Sequence, residues 1–476
     1  MKKDIDKYDL IKSFGNKVIS IIELISVNPY QVALKFVLEE VKAAKTWEIP
    51  YIHGRIIQWD INEASLDNRE NNFIKEEFKK ISPHDLLDMF TSDMAIKFDD
   101  YNIAAIMRIR IVEQVMFYYK LSTRDFYKCG KTIDLFKIVS KNKLHPNFQN
   151  LLHPKYKLVR EVLVSWTEGF EDRDKKFAKQ FQETFNSMFW ELYLYQCLRV
   201  LKMEIDFSKQ SPDFAVKSPY GNEFIIEAVI TNGTEGDKHH YEKDKIREDV
   251  ELINFASIRI LNSIYEKYKH YMGIGDKYKK SKYSDLEHVK GKPFIIAIAP
   301  FEQSASFIQN NQAINLVLYG QRIKTKINES KEIIGEFINI DKIKKNEETL
   351  LDVGLFTNDK YKEISAVIFS TTATFSKAVS CSDADCIIQA NTFHLEKGRI
   401  TSELPNEMYF ESLLDGLQVH RNPFAEIPLD LNEFSNYEIS SYLYDPLTEI
   451  VNVNQNNNTL VSRITKWEME NINEPI

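Results

Sequence analysis

Residues 210–232, QSPDFAVKSPYGNEFIIEAVITN, describe two short apolar segments joined by a turn. The joining residues, Ser-Pro-Tyr-Gly-Asn, are types that favour a tight reversal of the chain. Each segment contains a carboxylate, because Asp213 follows a proline and Glu227 follows Phe-Ile-Ile. A carboxylate is costly there, since even a neutral polar group costs roughly 2–7 kcal/mol to bury without a partner. The stretch predicts a hairpin whose two carboxylates lie close to direct cross-strand register.

Two carboxylates at that separation repel each other unless one is protonated or a cation lies between them. Mg²⁺ is commonly held by one or two carboxylates together with waters and substrate phosphate. We therefore predict a Mg²⁺ (or Mn²⁺) site at Asp213 and Glu227. Glu191 stands in the middle of the strongly apolar segment FNSMFWELYLYQCLRVL and is predicted to be a third carboxylate at the same pocket.

The chain around this hairpin alternates helical patterns with continuous apolar runs. Runs such as KPFIIAIAPF are typical of strands in a sheet that is covered on both faces by helices. We therefore expect an α/β fold with a mixed sheet flanked by helices. The predicted helices lie at 170–201, 245–271 and 310–320, and the predicted strands outside the hairpin at 204–207, 292–301, 364–370 and 386–390.

The length of 476 residues predicts more than one domain. Residues 1–165 show apolar residues at three- and four-residue spacing, which indicates a helical N-terminal domain. We expect that domain to mediate assembly with a second copy or a partner subunit. An irregular stretch within it, residues 47–72, is predicted to hold a short strand pair. The core is expected at 166–375, and residues 376–476 are expected to be a C-terminal extension packed on it.

A net charge of −8 means that any nucleic-acid contact must come from a local patch. Residues 267–292 contain eight lysines against three acidic residues, with tyrosines between them. Lysines can follow a phosphate backbone and tyrosines can stack on bases, whereas a charged run can also be a solvated loop. The predicted nucleic-acid contacts are Lys267, Lys269, Lys279, Lys280 and Lys282.

Several other kinds of site are disfavoured by the sequence. No phosphate-binding Gly-x-x-x-x-Gly-Lys loop, Gly-x-Ser-x-Gly or His-Glu-x-x-His occurs. The four cysteines are scattered and do not predict zinc. The adjacent His239 and His240 follow the strand that carries Glu227. We expect both histidines to be exposed loop residues or, alternatively, metal ligands. Without a long apolar run, the protein is expected in the cytoplasm, with no membrane contact.

This part of the chain resembles the PD-(D/E)XK, or restriction-endonuclease-like, nuclease superfamily. The resemblance lies in the order of three elements: a helix with Glu191, then Pro212-Asp213, then a strand with Glu227-Ala228-Val229. The resemblance implies a metal-dependent endonuclease that cleaves phosphodiester bonds of DNA, or of RNA, with Asp213 and Glu227 holding the ion and Glu191 assisting. Bacterial nucleases of this type often act in defence against phage or mobile DNA.

This sequence departs from the superfamily pattern at Val229, where the pattern has a catalytic lysine. Either a cation from elsewhere takes its place, or the chain is a catalytically inactive nucleic-acid-binding or assembly module. We predict that Lys245, at the start of the helix that follows the strand, supplies this replacement cation. Lys267 would be about 33 Å further along a continuous helix at 1.5 Å per residue and is expected to be too distant for catalysis. Lys209 and Arg259 are the remaining candidates.

Overall fold

The computed structural model describes two short N-terminal strands and most of the chain from residue 131 onward. The ranges are 46–50, 56–60, 131–140, 143–201, 203–232, 249–302, 306–327, 333–394, 398–406, 409, 411–436, 438–455 and 459–467. Strands β1 (Thr46–Pro50) and β2 (Ile56–Asp60) form an antiparallel pair, which confirms the strand pair predicted in this stretch. The rest of the expected helical domain up to residue 130 lies outside the described residues.

Seven helices and fifteen further strands follow in the described part of the chain. The helices are α1 (Pro146–Leu151), α2 (Lys157–Trp166), α3 (Phe177–Glu183), α4 (Phe185–Val200), α5 (Asp249–Met272), α6 (Gln312–Tyr319) and α7 (Phe375–Ser380). The strands are β3 (Glu204–Ile205), β4 (Phe214–Lys217), β5 (Glu223–Thr231), β6 (Phe294–Pro300), β7 (Gln321–Ile327), β8 (Ile333–Asn339), β9 (Lys342–Lys344), β10 (Leu350–Asp352), β11 (Ala366–Phe369), β12 (Ile387–His394), β13 (Gly398–Pro405), β14 (Gln418–Arg421), β15 (Ser440–Asp445), β16 (Ile450–Asn454) and β17 (Thr459–Lys466). Among these described helices, none has the length and apolar character needed to cross a membrane.

The centre of the fold is an eight-stranded mixed sheet in the order β16-β15-β14-β11-β6-β5-β4-β3. Strands β5, β6 and β11 run parallel to one another, whereas β3 and β4 pair antiparallel on one side of them. On the other side, β14 is antiparallel to β11 and parallel to β15. The predicted α/β class and mixed sheet are confirmed.

Helices cover both faces of this sheet, as the continuous apolar strands predicted. Strand β6 shows the arrangement, because its side chains alternate between two apolar clusters and none is more than 1% exposed among Phe294–Ala299. Ile295 and Ala297 pack on the side of α4, and Ile296 and Ile298 pack on the side of α5 and α6. Trp190 of α4 also donates its indole N–H to the carbonyl oxygen of Ala297 at 3.1 Å. The strands β5 and β6 are therefore fixed between two helical layers.

The predicted long helix at 170–201 is wrong in one respect, because two helices, α3 and α4, occupy the stretch. They are separated at Thr184, whose backbone leaves the helical region. The hydroxyl of Thr184 donates to the carbonyl oxygen of Gln180 at 2.9 Å. Hydrogen bonds of this kind compete with the helical pattern and bend helices. The break lets α4 take its own direction across the sheet.

The C-terminal residues contribute strands to the central sheet instead of only packing on it. Residues 418–454 supply β14, β15 and β16, so the sheet extends beyond the expected boundary at residue 375. Helices α1 and α2, which precede the expected boundary at 166, pack in the same apolar cluster as α4. Pairing between β11 and β14 joins segments about 50 residues apart, and such long-range pairing leaves no periodic signal in the sequence.

Candidate functional site

The hairpin of β4 and β5 brings Asp213 and Glu227 side by side. The ladder ends with Phe214 opposite Ile226, so Asp213 and Glu227 are the next pair in register. The backbone N–H of Ala228 donates to Oδ2 of Asp213 at 2.7 Å, which ties the start of β4 to β5. Since alternate residues of a strand point to opposite faces, both carboxylates lie on the face covered by α5. The predicted register is confirmed.

The loop before Asp213 is held in place by two side chains, Arg173 and His288, that no sequence pattern singled out. Arg173 donates from Nη2 to the carbonyl oxygen of Asp213 at 3.3 Å and from Nη1 to the carbonyl oxygen of Lys209. His288 lies with Nε2 at 2.8 Å from the carbonyl oxygen of Ser211, a distance at which the ring N–H donates to it. These contacts hold the backbone of residues 209–213 and with it the position of Asp213.

Glu227 is 3% exposed, and its two carboxylate oxygens have different surroundings. Oε1 accepts a hydrogen bond from Nζ of Lys267 at 2.6 Å and another from the hydroxyl of Tyr283 at 3.3 Å. Oε2 is buried and has no hydrogen-bond partner among the described residues. A buried carboxylate oxygen without a partner is energetically costly, so this atom is suited to a cation.

The expectation that Lys267 is too distant from the carboxylates is wrong. Strands β5 and β6 are parallel, so α5, which connects them, must run back along β5 toward the start of β6. The C-terminal part of α5 therefore lies beside Glu227. The distance of Lys267 from the start of the helix thus says nothing about its distance from Glu227. Lys245, His239 and His240 lie outside the described residues, and the proximity of Lys245 to the carboxylates stays a prediction.

The other two cations considered from the sequence are Lys209 and Arg259. Lys209 lies 3.6 Å from Asp206 in an exposed ion pair on its own loop. Arg259 lies on α5 two helical turns before Lys267. Among the candidates within the described residues, Lys267 is the cation in direct contact with Glu227.

Electrostatic coupling joins Glu191 to the pair on the hairpin. Burial, and next the charge of Asp213, raise the pKa of the Glu191 carboxyl. Burial, and next the charge of Glu227, raise the pKa of Asp213, while Lys267 and the N–H of Ala228 act in the opposite direction. These carboxyl groups hold protons more tightly than exposed ones do, because burial removes water from the ionised form and a neighbouring carboxylate adds negative charge. Glu191 of α4 is thus linked electrostatically to Asp213, and Asp213 in turn to Glu227.

The chemistry of these groups fits a divalent cation. Among the described residues, no three His, Cys, Asp or Glu side chains form a complete ligand set on their own. Mg²⁺, however, is usually bound by one or two carboxylates and completed by waters and phosphate oxygens. Asp213 and Glu227 can supply those carboxylates, with Oε2 of Glu227, which no described residue contacts by a hydrogen bond, as one ligand atom.

Val229 lies two residues after Glu227 on the same face of β5. Its side chain is partly buried and packs in the apolar cluster beneath α5. The position where the superfamily pattern has lysine is therefore occupied by a packing residue. The ammonium group of Lys267 reaches the neighbourhood of Glu227 from α5 instead.

The basic segment 267–292 is only partly available for nucleic acid. Lys279 and Lys280 are exposed, whereas Lys269 pairs with Glu266, and Lys282 lies 3.2 Å from Asp285. Lys267, also predicted as a phosphate contact, pairs with Glu227.

The tyrosines of the basic segment differ from the prediction as well. Tyr271 and Tyr283 are each 7% exposed, so their rings pack in the core and do not form a surface for bases. The sequence predicted base stacking for the tyrosines of this segment, and its pattern did not predict the contact between Tyr283 and Glu227. The alternation of lysine and tyrosine carried no signal that separates an inward-pointing ring from an outward-pointing one.

Comparison with known proteins found no matching family model, no matching curated protein and no matching solved structure.

Proposed function

We propose that this protein is a Mg²⁺- or Mn²⁺-dependent endonuclease that cleaves phosphodiester bonds of DNA, or of RNA, on a restriction-endonuclease-like core. The observation that supports the proposal best is Oε2 of Glu227, which is buried and has no hydrogen-bond partner within the described part of the chain. It lies on the same face of the sheet as Asp213 and belongs to the carboxylate that Lys267 contacts. A site that combines two carboxylates with one cation has the charges that phosphodiester hydrolysis requires.

In this proposal Asp213 and Glu227 hold the metal ion, and Glu191 supports them from α4. A bound ion supplies Lewis-acid stabilisation of phosphate and lowers the pKa of water. Lys267 takes the part of the lysine that Val229 replaces, and its ammonium group stabilises the negative charge that develops on the scissile phosphate. Its contact with Oε1 keeps this ammonium group at the site before substrate binds.

The test is a cleavage assay of the purified full chain with plasmid, linear duplex, single-stranded DNA and RNA in Mg²⁺ or Mn²⁺. The double variant Asp213→Asn, Glu227→Gln should lose cleavage, because neutral amides hold a divalent ion poorly. Asp206→Asn is the matched control, since Asp206 is an exposed carboxylate on the neighbouring loop. Cleavage at the wild-type rate by the double variant would contradict the proposal.

A second candidate function is a catalytically inactive nucleic-acid-binding or assembly module. Two observations favour it: the valine at position 229, and the ion pair in which Lys267 and Glu227 already neutralise each other. This function predicts binding that weakens steeply with salt and no cleavage with any divalent ion. Cleavage by the wild-type protein that depends on Asp213 would exclude it.

A role in bacterial defence against phage or mobile DNA follows from the resemblance to the nuclease superfamily. A bacterial strain that expresses the wild-type chain should then resist phage infection better than one that expresses the Asp213→Asn, Glu227→Gln variant. Equal plaque numbers for both strains across a phage panel would count against this role.

A further inference from the structure

Tyr283 reaches Glu227 from a segment that is separate from both the hairpin and α5. It begins a short 3₁₀ turn (Tyr283–Asp285) eleven residues after α5 ends. Its hydroxyl donates to Oε1 of Glu227 at 3.3 Å, and its side chain is almost fully buried. The second oxygen of the same carboxylate, Oε2, has no hydrogen-bond partner among the residues that the structure describes.

The ring of Tyr283 is held in place independently of this hydrogen bond. The imidazole of His270, from the last turn of α5, lies against it with 3.8 Å between ring centroids. His270 Nε2 in turn lies 3.1 Å from the hydroxyl oxygen of Ser281. The same segment continues to His288, which contacts the loop before Asp213 through the carbonyl oxygen of Ser211. Residues 283–288 therefore contact Glu227 itself and the loop that precedes Asp213.

We propose that Tyr283 is a positioning residue of the metal site: its O–H, together with Lys267, fixes Oε1 of Glu227 so that Oε2 faces the ion. This inference rests on the proposed function. A carboxylate with two donors on one oxygen cannot rotate without breaking both hydrogen bonds, so the free oxygen keeps one orientation. Outer partners of this kind typically change metal affinity or activity by about 10- to 100-fold when they are removed.

Tyr283→Phe removes the hydroxyl and leaves the ring against His270. Glu227 then keeps Lys267 as a donor but loses the second constraint on Oε1. Because the hydrogen bond from Tyr283 is long, at 3.3 Å, we expect the lower end of the range, about a 10-fold loss of Mn²⁺ affinity. The concentration of Mn²⁺ for half-maximal cleavage should rise by the same factor, and saturating Mn²⁺ should restore most of the rate.

The measurement is a calorimetric titration of the full chain with MnCl₂, without nucleic acid. Tyr278→Phe is the matched control, because Tyr278 also stacks on His270, at 4.7 Å, while its hydroxyl donates to the exposed Glu266. We expect Tyr278→Phe to bind Mn²⁺ like the wild type. Unchanged Mn²⁺ affinity in Tyr283→Phe, or an equal loss in both variants, would overturn the role of Tyr283.

The Asp213→Asn, Glu227→Gln variant separates failure of this inference from failure of the proposed function. If that variant loses Mn²⁺ binding and Tyr283→Phe does not, the metal site stands and Tyr283 has no part in it. If the wild type binds no Mn²⁺, or the double variant binds it normally, both the metal site and the role of Tyr283 are wrong.

Discussion

Nζ of Lys267 lies 2.6 Å from Oε1 of Glu227, although 40 residues separate them in the chain. The Glu227 side chain is 4% exposed and that of Lys267 is 26% exposed, so the ion pair is largely withdrawn from water. Burial acts to lower the pKa of Lys267, but the charge and hydrogen bond of Glu227 outweigh it and raise this pKa. Lys267 therefore stays protonated beside the carboxylates, where a substrate phosphate would meet its positive charge.

If the proposed endonuclease activity is correct, Lys267→Met should slow cleavage strongly while leaving nucleic-acid binding nearly intact. The reason is that an ammonium group at the scissile phosphate stabilises charge that develops only in the transition state. We expect kcat to fall by about 10²- to 10³-fold, with Kd for a DNA duplex in Ca²⁺ changed little. The measurements are single-turnover cleavage and filter binding of the same duplex.

Lys269→Met is the control for that change, since Lys269 lies on the same helix and pairs with the exposed Glu266. It should cleave at the wild-type rate. Equal cleavage rates for Lys267→Met and the wild type would show that Lys267 is not the catalytic cation. That role would then fall to Lys245 or to no residue.

The same substitution should also destabilise the metal-free protein. Lys267→Met leaves Glu227 buried without its ammonium partner, and breaking a buried ion pair costs about 3 kcal/mol or more. We expect a somewhat smaller loss, about 2 kcal/mol, because Lys267 remains partly exposed. Combining it with Glu227→Gln should recover part of the loss. Urea unfolding in EDTA measures the free energy of unfolding of the single and double variants. If the effects of the two substitutions simply add, Lys267 and Glu227 do not interact directly.

Metal binding should release protons and weaken as the pH falls. The pKa of Asp213 is raised by burial and by Glu227, so part of the metal-free protein carries a proton on this carboxyl near neutral pH. A bound cation favours the ionised form, and the proton leaves. Calorimetry with Mn²⁺ at about pH 6 and about pH 8, in buffers of different ionisation enthalpy, reports the number released. We expect more protons and weaker binding at the lower pH, and equal affinity at both would contradict the raised pKa.

Stability should fall as the pH rises toward and through the pKa of Glu438, a buried carboxyl beside Asp415. Burial, and next the charge of Asp415, raise this pKa to about 8, while Ser412 and Lys377 act in the opposite direction. A carboxyl with a folded pKa above the unfolded value of 4.5 holds its proton longer when folded. Its stabilising contribution is complete below 4.5 and is lost as the pH rises through about 8.

Glu438→Gln should flatten this pH dependence, since the amide does not titrate. Between about pH 5 and pH 8 the free energy of unfolding of the wild type should fall relative to the variant by up to about 1.4 kcal/mol per pH unit. Urea unfolding across that range is the measurement. Exposed Glu348→Gln is the control and should keep the wild-type slope. Parallel curves for wild type and Glu438→Gln would show that Glu438 is ionised in the folded protein.

Nucleic-acid contact by the basic segment is tested by replacing Lys279, Lys280 and Lys282 with Gln. If they bind duplex phosphates, the slope of log K against log salt should decrease by about 0.9 per lost contact. A control variant replaces the exposed Lys344 and Lys345 with Gln in the hairpin of β9 and β10. An unchanged slope in the triple variant would make the segment a solvated loop.

The local sequence was sufficient to predict the hairpin, its register and the two carboxylates it brings together. Turn residues between Asp213 and Glu227 lie within a few residues of the strands they join, so local chemistry determines the pairing. The apolar run of β6 likewise predicted a sheet buried on both faces, because a strand without polar alternation has no face for water.

Only the tertiary structure decided which cation and which hydroxyl contact Glu227. The direction of α5 depends on the parallel pairing of β5 with β6, and that direction brings Lys267 beside Glu227. The inward position of Tyr283 depends on packing against His270, in a segment whose composition suggested exposure. Long-range strand order and side-chain packing are set by the whole chain together, so no periodicity or spacing in the sequence could place these two residues.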